Sequence, residues 1–208
     1  MPISVTLSAQ VPDDVQVLGV PVYAGRRQPE GAPAELDLAY LSERGFEGKP
    51  GEACPVPADD GTTIVALGLG QPAEVTPETL RRAAAAFVRS AWHDTRAALA
   101  VLDAAPDLDR AAAAEALAEG ALLAACRFTR YKGDPKPSRL ESLVVVGRGA
   151  KAQSGLDRGA RVAAAVASSP MTTQRSRSRR MRSSSSSEPS PVSARARPMT
   201  AWASSTAP

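Results

Sequence analysis

Histidine is nearly missing from this sequence: His93 stands alone among 208 residues. Cysteine is scarce too, with only Cys54 and Cys126, far apart along the chain. A disulfide-built scaffold needs more, so a reducing, cytoplasmic setting is expected. Aromatic residues make up 4%, while hydrophobic residues reach 43%, much of that alanine. Any core must therefore rest on Val, Leu and Ile gathered in a few short segments. No apolar run approaches the ~18 residues of a membrane span, and the mean hydropathy is −0.18, so no membrane partner is expected. Residues 1–10 lack the basic start and long apolar middle of a secretory leader.

Charge is present but unevenly placed. The net charge of +3 and the pI near 9.1 hide a division of the chain. Residues 170–208 carry seven arginines and one acid, Glu188, a net of +6. The remainder holds 18 basic against 21 acidic residues, a net of −3. The basic character belongs to the end of the chain and says little about what the rest binds.

Up to about residue 168, β-like and helical patterns alternate, the mark of a layered α/β domain. Residues 3–7 alternate apolar and polar with period two, as a half-buried strand does. Residues 15–22 read as a second strand, whose Pro21 cannot donate to a ladder and so predicts an edge or bulge. Residues 36–41 predict a short helix with Leu36, Ala39 and Tyr40 on one face. Residues 62–68 are β-branched and almost continuously apolar, as a strand buried on both faces should be.

A well-signalled helix follows. Thr76 is a good N-cap, Pro77 suits the first helical position, and Glu78 faces the positive end of the dipole. Val75 and Leu80 suit a hydrophobic staple, and Leu80, Ala84, Phe87 and Ala91 form one stripe. Residues 97–102 and 143–147 are further strand candidates. An alanine-rich helix is predicted over 108–127, burying Leu117, Ala121, Ala124 and Phe128, and another over 156–167. Five strand candidates interleaved with helices predict a mixed sheet covered on both sides, in an order the sequence does not disclose.

No catalytic constellation is visible. His93, between Trp92 and Asp94, suits the negative end of the preceding helix better than a catalytic triad, for no Gly-x-Ser-x-Gly elbow exists. Cys54 and Cys126 read as inert buried thiols, and with one histidine they make no recognisable zinc site. Gly68-Leu69-Gly70 occupies the place of a phosphate loop but lacks the third glycine and any Gly-Lys-Ser/Thr. A tight strand-to-helix turn explains it. Asp59-Asp60-Gly61 reads as a hairpin turn between two strands rather than a metal site. No catalytic, cofactor-binding or metal residue is assigned.

Several segments together carry a resemblance. Phe46-Glu47-Gly48-Lys49-Pro50-Gly51-Glu52, the strand ending Gly68-Leu69-Gly70, and the helix opening Thr76-Pro77-Glu78 resemble the amino-terminal domain of leucyl (cytosol) aminopeptidases. Arg127-Phe128-Thr129-Arg130-Tyr131-Lys132, then Lys136-Pro137 and the 143–147 strand, are similar to that family's Arg-Phe-Asp-x-Tyr-Lys segment. The resemblance covers about residues 3–167. It implies a macro-like three-layer α/β domain over 1–167, with a final helix leading toward a separate catalytic domain. In that family the catalytic half binds two divalent metals, zinc or manganese, which polarise the peptide carbonyl and activate water. Family members are hexamers, assembled largely through that half. The family's Asn-Thr-Asp-Ala-Glu-Gly-Arg-Leu motif has no counterpart here, so peptide substrates and metals are expected only through the missing part.

After residue 167 the resemblance stops within a helix, and Ser168-Ser169-Pro170-Met171 opens a different composition. Val192 is the only Leu, Ile, Val or Phe in 170–208, so the segment 168–208 is expected to be a disordered tail. A shift of reading frame near residue 168 fits the abrupt change. The expected function is that of a truncated or frame-shifted aminopeptidase, inactive alone. Two alternatives stand beside it: a macro-like cleft for a nucleotide-type ligand, and nucleic-acid binding through the arginines of 175–197.

Overall fold

The computed structural model describes residues 3–58, 61–126 and 138–168. Its frame is a six-stranded sheet in the order β1-β6-β5-β2-β4-β3. The strands are β1 Ser4–Ser8, β2 Val17–Tyr23, β3 Ala53–Pro57, β4 Thr63–Gly70, β5 Arg96–Leu99 and β6 Ser142–Val146. Every neighbouring pair is parallel except β3 with β4, which is antiparallel. The helices are α1 Leu38–Glu43, α2 Pro77–Ser90, α3 Arg110–Ala125 and α4 Ala150–Ser168. The expected mixed α/β sheet is what forms.

The pleat divides the strand residues between two cores. Val17, Val65, Leu67, Ala97, Leu99, Leu143 and Val145 face α2, α3 and α4, meeting Leu80, Phe87, Leu117 and Leu156. Leu18, Val20, Val22, Ala66 and Ala98 face the other way, where Leu36, Leu41 and Phe46 cover them.

Helix α2 begins as its sequence predicts. Thr76 caps it, and its hydroxyl and that of Thr79 accept reciprocally from each other's backbone N–H. The expected stripe of Leu80, Ala84, Phe87 and Ala91 is fully buried. Ala83, Ala86 and Val88 are buried as well, because α3 packs on a second flank. Helix α3 lies between α2 and α4, which explains why a helix so apolar on all sides is stable in this place. Its one buried charge, Glu119, accepts from Arg81 Nε of α2 at 2.5 Å. That contact pushes the Arg81 guanidinium pKa up. Helix α4 starts at Ala150, six residues before the predicted 156. Gly155 and Gly159 are where α4 meets α3: a Cβ would stand 2.2 Å from Ala111 O and 2.5 Å from Glu115 O.

β2 is central in the sheet, yet its Pro21 end is locally an edge because its neighbour β5 stops early, and its register with β4 shifts between Val22 and Tyr23, so the expected edge or bulge is found. The β2–β5 ladder ends at Gly19–Leu99, with Ala100 N–H donating to Gly19 O at 2.9 Å. Pro21 shares the parity of Gly19, so its missing donor faces a gap. Other expectations need correction. The strand expected over 97–102 ends at Leu99 and gives way to a 3-10 turn, Leu102–Ala104. Strand β3 is not one of the five strand candidates, but it is the strand that the hairpin reading of 59–61 requires before the turn. Helix α1 is capped by Asp37, leaving Leu36 buried ahead of it and Ala39 exposed. Phe128 and Arg127 of the predicted α3, the Arg127–Lys132 and Lys136-Pro137 segments, Asp59-Asp60 and 169–208 lie outside the described residues. Among the described residues no helix is long and apolar enough to cross a membrane.

Candidate functional site

The chain leaves β2 through α1 toward β3 and β4, and leaves β5 through α3 toward β6 on the other side. Between two such strands, at their carboxyl ends, open α/β sheets leave a crevice. Here it is a cleft of about 280 Å³, bounded by Val11 after β1, Pro21 of β2, Ala100 after β5 and Val146 of β6. Residues 29–33 form another wall. Gln28 clamps that loop, donating to Ala34 O at 2.8 Å and accepting from Leu36 N–H at 3.0 Å. The 3-10 turn at Leu102–Ala104 is held from behind by Tyr23, whose hydroxyl donates to Ala104 O at 2.8 Å. Burial, and then the charge of Asp107, push the Tyr23 hydroxyl pKa up.

Among the described residues the charged ones in the lining are Glu30 and Asp103, and none is basic. Asp103 is engaged by Arg110 from the first turn of α3. No histidine, cysteine, serine or lysine among the described residues lines the cleft, so none of them pairs a nucleophile with a base there. Small apolar walls with Glu30, and with Asp103 already paired to Arg110, suit a neutral or cationic group better than a phosphate. The sequence reading missed these residues; their common feature, a place just beyond a strand end, becomes visible only with the strand order.

The residues that drew attention in the sequence assemble elsewhere. Gly68 and Gly70 lie inside β4, not in a turn after it, and the segment 46–52 docks against them. Gly70 N–H donates to Gly48 O at 2.8 Å, Gly68 N–H to Glu52 O at 2.9 Å, and Ala24 N–H to Gly70 O at 2.8 Å. The Glu52 carboxylate closes the loop on itself, accepting from the N–H groups of Glu47 and Lys49, both at 3.0 Å. Lys49 pairs with Glu47, lowering that carboxyl's pKa and raising its own. A Cβ on Gly68 would stand 2.1 Å from Lys49 O, and one on Gly48 2.3 Å from Tyr23 O. These glycines let backbone meet backbone. They form a structural joint, with no room for a phosphate.

Cys54 is buried in β3 beside Arg44 and Phe46; burial raises its thiol pKa, and the Arg44 charge offsets this in part. Cys126, expected to be buried, is exposed at the C-cap of α3. The two remain separate free thiols. His93 is exposed in the turn beyond α2, whose C-cap is Ala91 and whose last-turn base is Arg89. Strands β3 and β4 pair as the arms of a hairpin around 59–60, with Ala58 N–H donating to Thr62 O at 2.9 Å. Among the described residues no three His, Cys, Asp or Glu side chains are grouped to hold a metal ion.

Comparison with known proteins places this arrangement. The model of the N-terminal domain of the cytosol aminopeptidase family matches residues 20–135. The chain is 35% identical over 140 residues to a probable cytosol aminopeptidase of Streptomyces coelicolor, covering 61% of this chain and 26% of that protein. It is 36% identical over 119 residues to one from Microcystis aeruginosa, covering 55% of this chain and 24% of the relative. The chain thus spans about a quarter of the curated relatives it matches. Among solved structures, the bottromycin maturation enzyme BotP superposes with a TM-score of 0.60 at 27% identity, over 74% of this chain and 31% of that one. A mutant of tomato leucine aminopeptidase shares the fold, with a TM-score of 0.62 at 21% identity, over 79% of this chain and 36% of its own.

Proposed function

This chain belongs to the cytosol aminopeptidase family, and from that we propose that it is the non-catalytic amino-terminal part of a metal-dependent aminopeptidase, inactive by itself. The observation that carries the reading is the match of 20–135 to the family's N-terminal domain. The relatives' designation supports a cytoplasmic setting. Residues 1–167 would be that macro-like domain, and 168–208 a separate tail whose sequence fits translation in a shifted frame.

The residues described here do not fit a two-metal centre. Two divalent ions need several convergent carboxylates or imidazoles, and no such group is present among them. Of the two acids at the cleft, Asp103 is already held by Arg110. No step of peptide hydrolysis is therefore derived from this chain's side chains. Purified 208-residue protein, assayed on a leucine amide with added manganese or zinc, should show no turnover above background. Metal-dependent release of leucine by that protein would refute the proposal.

The cleft supports a second reading, binding of a small ligand at the carboxyl ends of the strands. Its acidic lining disfavours nucleotides, so any ligand there would be neutral or cationic. Nucleic-acid binding by the arginines of 175–197 is a third reading, resting on composition alone.

A further inference from the structure

The two edges of the sheet are finished differently. At one edge, β3 turns the backbone of Cys54 and Val56 toward β4, as Glu52 O and Ala58 N–H on the same parity show by bonding Gly68 N–H and Thr62 O. Pro55 and Pro57 therefore face outward, where they offer no N–H to a passing strand. Proline on an outer edge is a recognised guard against unwanted pairing.

The other edge has no such guard. In β1, Ser4 N–H donates to Glu141 O at 2.9 Å and Ser8 O accepts from Gly147 N–H at 2.8 Å. Ser4, Thr6 and Ser8 thus turn their backbone groups toward β6, and Val5 and Leu7 turn theirs away from the sheet. Among the described residues no strand lies beyond β1. The edge carries no charge, proline or bulge.

Its sequence is also symmetric in character: Ser4-Val5-Thr6-Leu7-Ser8 reads serine, aliphatic, threonine, aliphatic, serine in either direction. We propose that this edge pairs with β1 of a second copy of the chain, antiparallel, about a two-fold axis at Thr6. Such an interface is isologous, and the outward groups satisfy one another. Val5 of each copy faces Leu7 of the other as a hydrogen-bonded pair, closing four backbone bonds. Thr6 faces Thr6 as the close, non-hydrogen-bonded pair, and Ser4 faces Ser8. The serine and threonine side chains lie together on one face of the pairing and the aliphatic ones on the other, with no like charges opposed. The two sheets then run on as one.

The test uses the full chain in sedimentation equilibrium over micromolar to millimolar concentrations. Wild type should dimerise. Thr6→Lys and Thr6→Glu, each placing like charges across the axis, should weaken dimerisation at least about tenfold, while an equimolar mixture of the two should associate again. Thr6 is exposed, and unchanged circular dichroism, with unchanged melting at concentrations where wild type is monomeric, would show that each variant folds. Amide exchange gives a second readout: the N–H groups of Val5 and Leu7 should be protected in concentrated wild type and exposed in either variant. A wild type monomeric throughout, a dimer indifferent to both substitutions, or a mixture no tighter than its components would each overturn the proposal.

Discussion

Glycines at the joint between β4 and the 46–52 loop show how a residue's meaning depends on what stands beside it. Gly68 and Gly45 look alike in the sequence, but only Gly68 has a backbone oxygen within 2.1 Å of where a Cβ would be, while Gly45, at φ 72°, has nothing within 4 Å. Gly68→Ala should therefore cost about 3 kcal/mol, since neither strand nor loop backbone can retreat without losing its hydrogen bonds. Gly45→Ala should cost about 1 kcal/mol, the strain of a left-handed backbone alone. Urea titration of both variants measures the difference, and equal losses would remove the joint from the account. The cysteines divide in the same way. A thiol alkylating reagent at neutral pH should label Cys126 promptly and Cys54 only after denaturant is added, because Cys54 is buried and its thiolate is disfavoured there. Peptide mass mapping reads this directly, and early labelling of Cys54 would contradict the packing of β3.

At the scale of elements, α3 depends on both neighbours. Its alanines give propensity, and α2 and α4 give it something to bury against. Glu119 is the point where this becomes costly to disturb, because its side chain is 11% exposed and Arg81 is its partner. Arg81→Ala should lose about 2 kcal/mol, leaving a carboxylate between two helices without a donor. Glu119→Gln, which still accepts from Arg81, should lose less. Reversed order in chemical denaturation would mean that the ion pair contributes little to the seam. The start of α2 was legible because capping is local: Thr76, Pro77 and Glu78 say where it begins without reference to anything distant. β3 was harder, since Pro55 and Pro57 argue against a strand until the edge position explains them. The early start of α4 was hidden for a related reason, its glycines being selected by contact with α3 and not by helix propensity.

For the molecule as a whole, the division into a folded body and a basic end predicts that deleting 169–208 leaves the melting temperature of the body unchanged. Calorimetry of the full and shortened chains checks this, and a fall of several degrees would show that the end contributes to the fold. The same pair of proteins separates the nucleic-acid reading, for salt-dependent RNA binding should disappear with the deletion if the arginines of 175–197 carry it. The sequence by itself determined the α/β class, the start of α2, the split of charge, and the family resemblance, because each is written in neighbouring residues. Tertiary structure alone decided the strand order, and with it the cleft at the β2–β5 switch point, the tolerated Pro21, the joint at Gly68 and the unguarded edge at β1. Those features arise from which strands lie side by side, and that pairing is set by burial and hydrogen bonding between segments far apart in the chain.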